Sequence, residues 1–228
     1  MDYKQNFDVC WYKEVCNQAI NSCDKAVCNY CIRFLEMSHL MEESDIPKNK
    51  QYPVSLYPED IDYDVFLKLS EYKQNIEGHI IKGKNLYICS VNPGNGKTTW
   101  AIKLMLKYFD MIWAGNRFRA RGLFVHVPTL LMQLKNFNSP LSEDYKNKLL
   151  NCDLVIFDDV AVSGISQYDY NNLLMYIDSR ILNEKSNIFT SNKVTKDELD
   201  KSVGSRLSSR IWETSTRIEF KGKDRRNG

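Results

Sequence analysis

Short apolar runs alternate with segments of helical periodicity over most of the chain. Four runs have the length and composition of buried strands: LYIC from Leu86, GLFVHV from Gly122, LVIF from Leu154 and NIFT from Asn187. Between the first two runs, the segment TTWAIKLMLKYF spaces its apolar residues like a helix that packs on a sheet. This alternation of strands and helices predicts an α/β domain.

The segments before the first strand have a different character. Apolar residues recur at helical spacing in Cys31–Met41 and in Tyr63–Gly78, so both are predicted to be helices. Between them, Glu42–Asp64 is acidic and contains three prolines, which oppose regular structure. We therefore predict a Cys-rich module over residues 1–41, a linker over 42–64 and the α/β domain over 65–228.

Composition narrows the class of protein. The chain has 228 residues, of which 43% are hydrophobic, enough for one α/β domain and a small appendage. No apolar run approaches the ~20 residues that span a bilayer, and the first residues do not lead into a signal-peptide core. We expect a cytoplasmic protein with no membrane partner. The net charge is only +2, but Gly204–Gly228 carries seven basic and three acidic residues, which favours this end for an anionic partner.

A glycine-rich turn follows the first strand and leads directly into a helix. Gly94 and Gly96 allow backbone conformations that a Cβ forbids, so that N–H groups approach a phosphate at the positive end of the helix. Lys97 is expected to reach the β- and γ-phosphates of ATP, and the hydroxyl of Thr98, rather than Thr99, to bind Mg²⁺. The predicted nucleotide-binding residues of this turn are Asn92, Pro93, Gly94, Asn95, Gly96, Lys97, Thr98 and Thr99.

This phosphate-binding loop, or P-loop, departs from the usual pattern G-x-x-x-x-G-K-[ST] at its first position. Val91 stands where the pattern has glycine. The remaining residues keep the spacing of the pattern, and Pro93 is expected to stiffen the loop. The substitution weakens the motif without removing it, and Val91 is where a distorted loop is expected.

Two carboxylates end the third strand. Asp158 and Asp159 follow four apolar residues, and open α/β sheets bind their ligands at the carboxyl ends of their strands. Asp158 is expected to hold Mg²⁺ through water. Asp159 is expected to polarise the attacking water, a role that glutamate more often has. Together with the P-loop, this pair predicts an ATPase.

Polar residues farther along the chain extend the predicted site. Asn192 follows the fourth strand and could hydrogen-bond the γ-phosphate or the water. Arg206 and Arg210 are four residues apart on one face of a predicted helix, where they could reach the ATP of a neighbouring subunit. Asn116–Arg121 places three arginines around Phe118, which fits either contact with a single-stranded nucleic acid or a solvated loop.

Five of the seven cysteines lie within the first 31 residues. In a cytosolic protein such clustering favours a metal site over disulfides, and Cys28 and Cys31 have the C-x₂-C spacing of a zinc knuckle. Buried free thiols are one alternative, and an iron–sulfur cluster or a redox pair is another. The other predicted Zn²⁺ ligands are Cys16 and Cys23, with Cys10 or His39 as substitutes.

With these residues the chain resembles the AAA+ helicase loaders of bacteria and their phages, the DnaC-like family, whose fold is shared with the IstB transposition helpers. The resemblance covers about Tyr72 to Arg226. NPGNGKT resembles Walker A, LVIFDD resembles Walker B, and TSN, ending in Asn192, resembles sensor 1. GSRLSSR is similar to the arginine-finger box, with Arg210 as first choice and Arg206 as second. Arg226 best matches the sensor 2 arginine, which would contact the nucleotide.

The resemblance carries expectations about structure and activity. It implies a three-layer P-loop AAA+ domain with a central parallel sheet, a helical insertion over about Pro128–Leu150 and no separate C-terminal lid domain. It also implies an ATP-dependent homo-oligomer that binds the replicative helicase and places it on single-stranded DNA, hydrolysing ATP at subunit interfaces. The alternatives are an IstB-like transposition helper, a P-loop small-molecule kinase and a binding module that uses ATP only as a switch.

Overall fold

The central sheet of the computed structural model contains five parallel strands. The structure describes residues 29–51, 56–58, 60–134, 141–162, 164 and 166–224, with side chains from residue 35 onward. The strands are β1 (Asn85–Cys89), β2 (Gly122–His126), β3 (Leu154–Asp158), β4 (Ser186–Ser191) and β5 (Ser215–Glu219). They lie side by side in the order β2-β3-β4-β1-β5, so the strand before the P-loop is near the centre of the sheet.

Helices connect the strands and cover both faces of the sheet. They are α1 (Asn29–Glu43), α2 (Tyr63–Gln74), α3 (Ile76–Ile81), α4 (Lys97–Ile112), α5 (Val127–Leu134), α6 (Glu143–Asn151), α7 (Gln167–Leu182), α8 (Lys196–Val203) and α9 (Ser205–Thr214). Short 3₁₀ turns occupy Lys48–Lys50, Asp60–Asp62 and Trp113–Gly115. Of the predicted insertion, the described parts are helical and consist of most of α5 and all of α6.

Successive residues of each strand supply opposite faces of the sheet with apolar side chains. In β1, Leu86 and Ile88 belong to the core on which α4 packs. Tyr87 and Cys89 belong to the core on the other face, which contains Leu173 of α7. Because side chains alternate along a strand, fully apolar strands require cover on both faces. The result is the three-layer arrangement with a central parallel sheet that the sequence resemblance implied.

Two elements differ from the sequence-based expectation. The predicted single helix over Tyr63–Gly78 is wrong, because α2 ends at Gln74 and α3 begins at Ile76. Asn75 between them has φ −105° and ψ 17°, outside helical geometry. The edge strand β5 was not predicted, since its sequence STRIE contains one buried residue, Ile218, and no apolar run.

The described part of the acidic segment before α2 packs against the sheet domain. The backbone carbonyl of Ser44 accepts a 2.7 Å hydrogen bond from the N–H of Phe124 in β2, the edge strand. Ile46 is buried in the core below. This contact places the turn Lys48–Lys50 beside the carboxyl end of β2. The division into residues 1–41, 42–64 and 65–228 stays a prediction.

Among the described residues, no helix combines the length and the apolar character needed to cross a bilayer.

Candidate nucleotide-binding site

The P-loop joins the carboxyl end of β1 to the N-terminus of α4. Gly94 and Gly96 have φ values of 67° and 100°, in the left-handed region where a side chain would be strained. Gly96 is the N-cap of α4, so the N–H groups of the first helical turn lie beside the loop. Glycine at these positions and a helix N-terminus form the anion-binding geometry that the sequence predicted.

Lys97 supplies the positive charge of the loop. It is 7% exposed, and its ammonium donates to the backbone carbonyl of Asn92 at 3.1 Å and to Oδ1 of Asn95 at 3.3 Å. The amide nitrogen of Asn95 donates in turn to the hydroxyl of Ser90. The loop therefore holds its lysine on neutral oxygen acceptors, for which phosphate oxygens are stronger replacements.

The structure explains how valine is accommodated at position 91, where the usual pattern has glycine. Val91 is 66% exposed and its φ lies outside the left-handed region, so neither the backbone nor the packing requires glycine at this position. The backbone at Val91 is therefore unstrained, and a change in phosphate binding caused by Val91 stays a prediction. The positions that do need glycine are Gly94 and Gly96, and both are present.

Asp158 joins the P-loop to the third and fourth strands. Its carboxylate is 4% exposed and accepts 2.7 Å hydrogen bonds from the hydroxyls of Thr98 in α4 and Thr190 in β4. The structure thus brings together the two predicted Mg²⁺ ligands, Thr98 and Asp158. A hydroxyl and a carboxylate are the oxygen donors that Mg²⁺ prefers, so the residues fit this ion. Thr190 was not predicted, although a threonine at the end of an adjacent parallel strand is a usable signal.

Asp159 adopts an unusual backbone conformation that directs it into the site. Its φ is 54°, and its backbone N–H donates to the hydroxyl of Thr190 at 3.0 Å. Burial, and then the neighbouring Asp158, raise the pKa of the Asp159 carboxyl above its usual value. Non-glycine residues at positive φ cluster at functional sites, and here the residue lines the cleft beside Asp158.

His126 also belongs to this group and was not predicted. Its Nε2 lies 3.8 Å from Oδ2 of Asp159, and its Nδ1 lies 2.8 Å from the hydroxyl of Thr129. The ligand atoms of His126, Asp158 and Asp159 all lie within 4.8 Å of one another. A histidine at the carboxyl end of the strand beside β3 is the signal that could have identified it.

The P-loop, His126 and the two aspartates line one cleft of about 1010 Å³ at the carboxyl edge of the sheet. Asn192, the predicted contact to the γ-phosphate, lies there with the P-loop and both aspartates. The acidic segment contributes three residues that were not predicted, namely Pro47, Lys50 and Leu56. From the sequence prediction, the cleft contains Pro93, Gly94, Asn95, Gly96, Lys97, Thr98, Thr99, Asp158, Asp159 and Asn192.

The predicted arginine pair lies elsewhere. Arg206 and Arg210, on α9, both face Asp178 of α7, with Arg210 Nε 2.8 Å and Arg206 Nη2 4.0 Å from its carboxylate oxygens. The side chains of the two arginines are 67% and 42% exposed. Among the described residues that line the cleft, neither arginine is present.

The arginine-rich loop before β2 divides into two parts. Arg117, Phe118 and Arg119 are exposed, and α1 holds the loop through a 2.9 Å contact between His39 Nε2 and the carbonyl of Phe118. Arg121 instead forms an ion pair with Asp153, so its guanidinium is already paired within the chain. The candidate nucleic-acid contact is thus reduced to three exposed residues.

Several predicted ligands cannot be placed. Arg226, Cys16, Cys23 and Cys28 lie outside the described residues, as does the side chain of Cys31. Two other cysteines are buried free thiols, Cys89 and Cys152. Burial raises the pKa of the Cys89 thiol to about 12 and that of Cys152 to about 11, as expected of thiols that only fill the core.

Comparison with known proteins identifies the fold. The sequence matches no family model and none of the curated proteins. The crystal structure of the DnaC helicase loader matches 73% of this chain and 94% of its own, with 20% identity and a TM-score of 0.61. DnaI matches 82% of this chain and 100% of its own, also with 20% identity and a TM-score of 0.61. The replication initiator DnaA bound to AMPPCP and single-stranded DNA matches 72% of this chain, with 19% identity and a TM-score of 0.53.

The fold and the cleft together define an α/β protein with a P-loop at the carboxyl edge of a parallel sheet. The solved structures with this fold include the DnaC helicase loader, DnaI and the initiator DnaA. This chain covers 48% of the length of the DnaA chain. At such identities the likeness concerns the fold. It confirms the three-layer fold with a central parallel sheet that the sequence resemblance to the DnaC-like loaders implied.

Proposed function

We propose that this chain binds ATP and Mg²⁺ in the cleft and hydrolyses ATP when copies assemble. The observation that carries the proposal is the convergence of Lys97, Thr98, Asp158, Asp159 and Asn192 on one cleft at the carboxyl edge of the sheet. A binding cleft alone needs only the loop and its lysine. The two carboxylates and the asparagine add the groups that hydrolysis requires.

The residues of the cleft divide the work of phosphoryl transfer. The ammonium of Lys97 exchanges the carbonyls of Asn92 and Asn95 for oxygens of the β- and γ-phosphates. Thr98 and Asp158 hold Mg²⁺, which neutralises charge on the phosphate oxygens when it is bound. Asp159 orients the attacking water and accepts its proton at a carboxylate oxygen. Asn192 donates its amide to the γ-phosphate or to that water.

An arginine from a neighbouring copy completes the proposed site. Arg210 is the first choice and Arg206 the second, because both are on an exposed helix face away from their own cleft. An arginine supplied in trans stabilises the charge of the transferring phosphoryl group and typically contributes a factor of about 10³–10⁵ to the rate. Hydrolysis would then depend on assembly. If the expected sensor 2 role holds, Arg226 contacts the nucleotide as well.

The proposed biological role is that of a loader that binds the replicative helicase and places it on single-stranded DNA in the cytoplasm. The likeness to the DnaC loader and to DnaI supports this role, and the likeness to DnaA bound to single-stranded DNA supports the DNA contact. Arg117, Phe118 and Arg119 offer exposed charge and a stacking ring for a single strand. Such binding would weaken strongly with salt.

The loader role is tested by co-purification of the full chain with the replicative helicase of its host, with and without ATP. The account predicts retention that ATP strengthens and that Lys97→Ala abolishes or weakens. A matched control is Lys107→Ala, on the same helix but paired with Asp110 on its surface. Absence of the helicase under every nucleotide condition would contradict the loader role while leaving the ATPase proposal standing.

The Cys-rich segment has a proposed role of its own. Cys16, Cys23, Cys28 and Cys31 bind one Zn²⁺ and form the module that contacts the helicase. Metal analysis of protein purified without chelator tests this, and close to one equivalent of zinc is expected. Its absence would favour reduced thiols.

A further inference from the structure

Asp62 is a buried carboxylate that holds the chain segment following β5. It ends the 3₁₀ turn before α2 and is 0% exposed. Its Oδ1 accepts a 2.8 Å hydrogen bond from the backbone N–H of Lys221, and the N–H of Gly222 lies 3.2 Å from Oδ1 and 3.1 Å from Oδ2. Burial of a carboxylate is costly unless such bonds compensate it, so this contact fixes the position of residues 221–222.

Residues 221–222 also contact the P-loop, through the side chain of Asn92. The side-chain amide of Asn92 donates to the carbonyl of Gly222 at 2.9 Å and approaches that of Lys221 at 3.4 Å. The backbone of Asn92 is bonded within the loop, because its N–H donates to the Ser90 hydroxyl and its carbonyl accepts from the Lys97 ammonium. A continuous path of hydrogen bonds therefore leads from Asp62 to the lysine of the loop.

We propose that Asp62, Asn92, Lys221 and Gly222 form a latch that holds the P-loop in its nucleotide-binding conformation, with Asp62 as a positioning residue. The inference rests on the proposed nucleotide binding in the cleft. The three parts of the latch come from before the first strand, from the P-loop after β1 and from the segment after the edge strand β5. Residues far apart in sequence are thereby made to cooperate at the loop.

The latch acts through preorganisation. A loop that is already held in its bound conformation loses less conformational freedom when a ligand binds, so its affinity is higher. Without the carboxylate of Asp62, the backbone N–H groups of Lys221 and Gly222 lose their acceptor, and Asn92 loses a fixed partner. By linkage, nucleotide binding must stabilise the latch to the same extent that the latch favours nucleotide.

A binding experiment with ADP, which is not consumed, tests the latch. Full-length Asp62→Asn and Asn92→Ser are each expected to raise the Kd for ADP about tenfold, as loss of a charge-assisted or buried hydrogen bond implies. The double variant should be no weaker than about the weaker single variant, because both changes open the same latch. Asp60→Asn, exposed on the same turn, is the matched control and should leave the Kd unchanged.

Hydrogen exchange provides a readout that a purely structural role would not move. Exchange at the amides of Lys221 and Gly222 should slow when ADP binds the wild-type chain, and should respond less in Asn92→Ser. If Asp62→Asn does not fold, Asn92→Ser still decides, because Asn92 is only half-buried and the change leaves Asp62 intact. Wild-type affinity in a folded Asn92→Ser variant, or additive effects in the double variant, would overturn the latch. Absence of ADP binding by the wild-type chain would instead overturn the proposed function.

Discussion

The nucleotide cleft and the arginine pair of α9 are two polar regions with opposite organisation. In the cleft, Lys97 and Asp158 bond to groups of the loop and of neighbouring strands, and Asp159 is fixed by its backbone. On α9, Arg210 forms an ion pair with Asp178 of a neighbouring helix, Arg206 lies 4.0 Å from the same carboxylate, and both arginines keep exposed surface. The first region is assembled by the sheet, whereas the second is displayed on the outside of the molecule.

This difference indicates which groups of the proposed ATPase site come from a single copy of the chain. All the groups proposed to bind ATP and Mg²⁺ through the P-loop and Walker B strand come from one copy and meet at one edge of the sheet. The arginines proposed to stabilise the transferring phosphoryl group are absent from the described lining of that cleft. Binding should therefore be a property of the single chain, and hydrolysis a property of the assembly. The variants below separate these two properties.

The largest effect is expected from Lys97→Ala. The change removes the buried ammonium of the cleft, and hydrogen bonds to charged groups contribute about 1.5–3 kcal/mol each, so the Kd for ATP should rise about 100-fold. Isothermal titration or a fluorescent ATP analogue measures this directly in the monomer. The control Lys107→Ala keeps the helix and removes a surface charge. Wild-type affinity in Lys97→Ala would mean that the cleft does not bind nucleotide as proposed.

An effect of similar size, but confined to turnover, is expected from Asp159→Asn. The side chain keeps its size and loses its capacity as a base, which typically contributes at least about 10²-fold to a rate. Steady-state hydrolysis by the assembled protein should fall by about this factor, while the Kd for ATP changes by less than about threefold, because the residue acts mainly on the transition state. Equal losses in binding and turnover would show that Asp159 supports the fold of the cleft.

The smallest of these effects is expected from Lys50→Ala. Lys50 lies on the 3₁₀ turn Lys48–Lys50 and lines the cleft. Its positive charge lowers the pKa of Asp159, whereas burial raises it. Loss of one partly screened charge should reduce turnover about tenfold, which corresponds to roughly 1.4 kcal/mol. Lys48→Ala, exposed on the same 3₁₀ turn, is the control. Identical rates in the two variants would remove Lys50 from the site.

The cleft was largely predictable from sequence because its residues follow apolar strands. Gly96 and Lys97 follow β1 through the P-loop, Asp158 is the last residue of β3, and parallel strands end at one edge of the sheet. The same reasoning would have reached Thr190 and His126. It could not reach Lys50, because the packing of an acidic, proline-containing segment depends on contacts with distant parts of the chain, such as the backbone hydrogen bond between Ser44 and Phe124.

Other parts of the fold had no local signal. The strand β5 pairs with β1 along one edge and buries only Ile218, so its sequence lacks an apolar pattern. Helix α7 was not predicted either, although Ser166 and Asp169 form a capping box at its start. Arg180 of α7 is fully buried and donates to Asn187 and to the carbonyls of Cys152 and Ser186, which no sequence pattern indicates.

The central claim, that a neighbouring copy completes the hydrolytic site, is tested most directly by mixing two inactive proteins. Arg210→Ala retains a complete cleft and lacks the arginine, while Lys97→Ala lacks nucleotide binding and retains the arginine. Each alone should hydrolyse ATP at background rate. The account predicts that a titration of one into the other recovers activity that peaks near equal amounts. No recovery at any ratio, with mixed assemblies demonstrated by cross-linking and with the same result for Arg206→Ala, would contradict it.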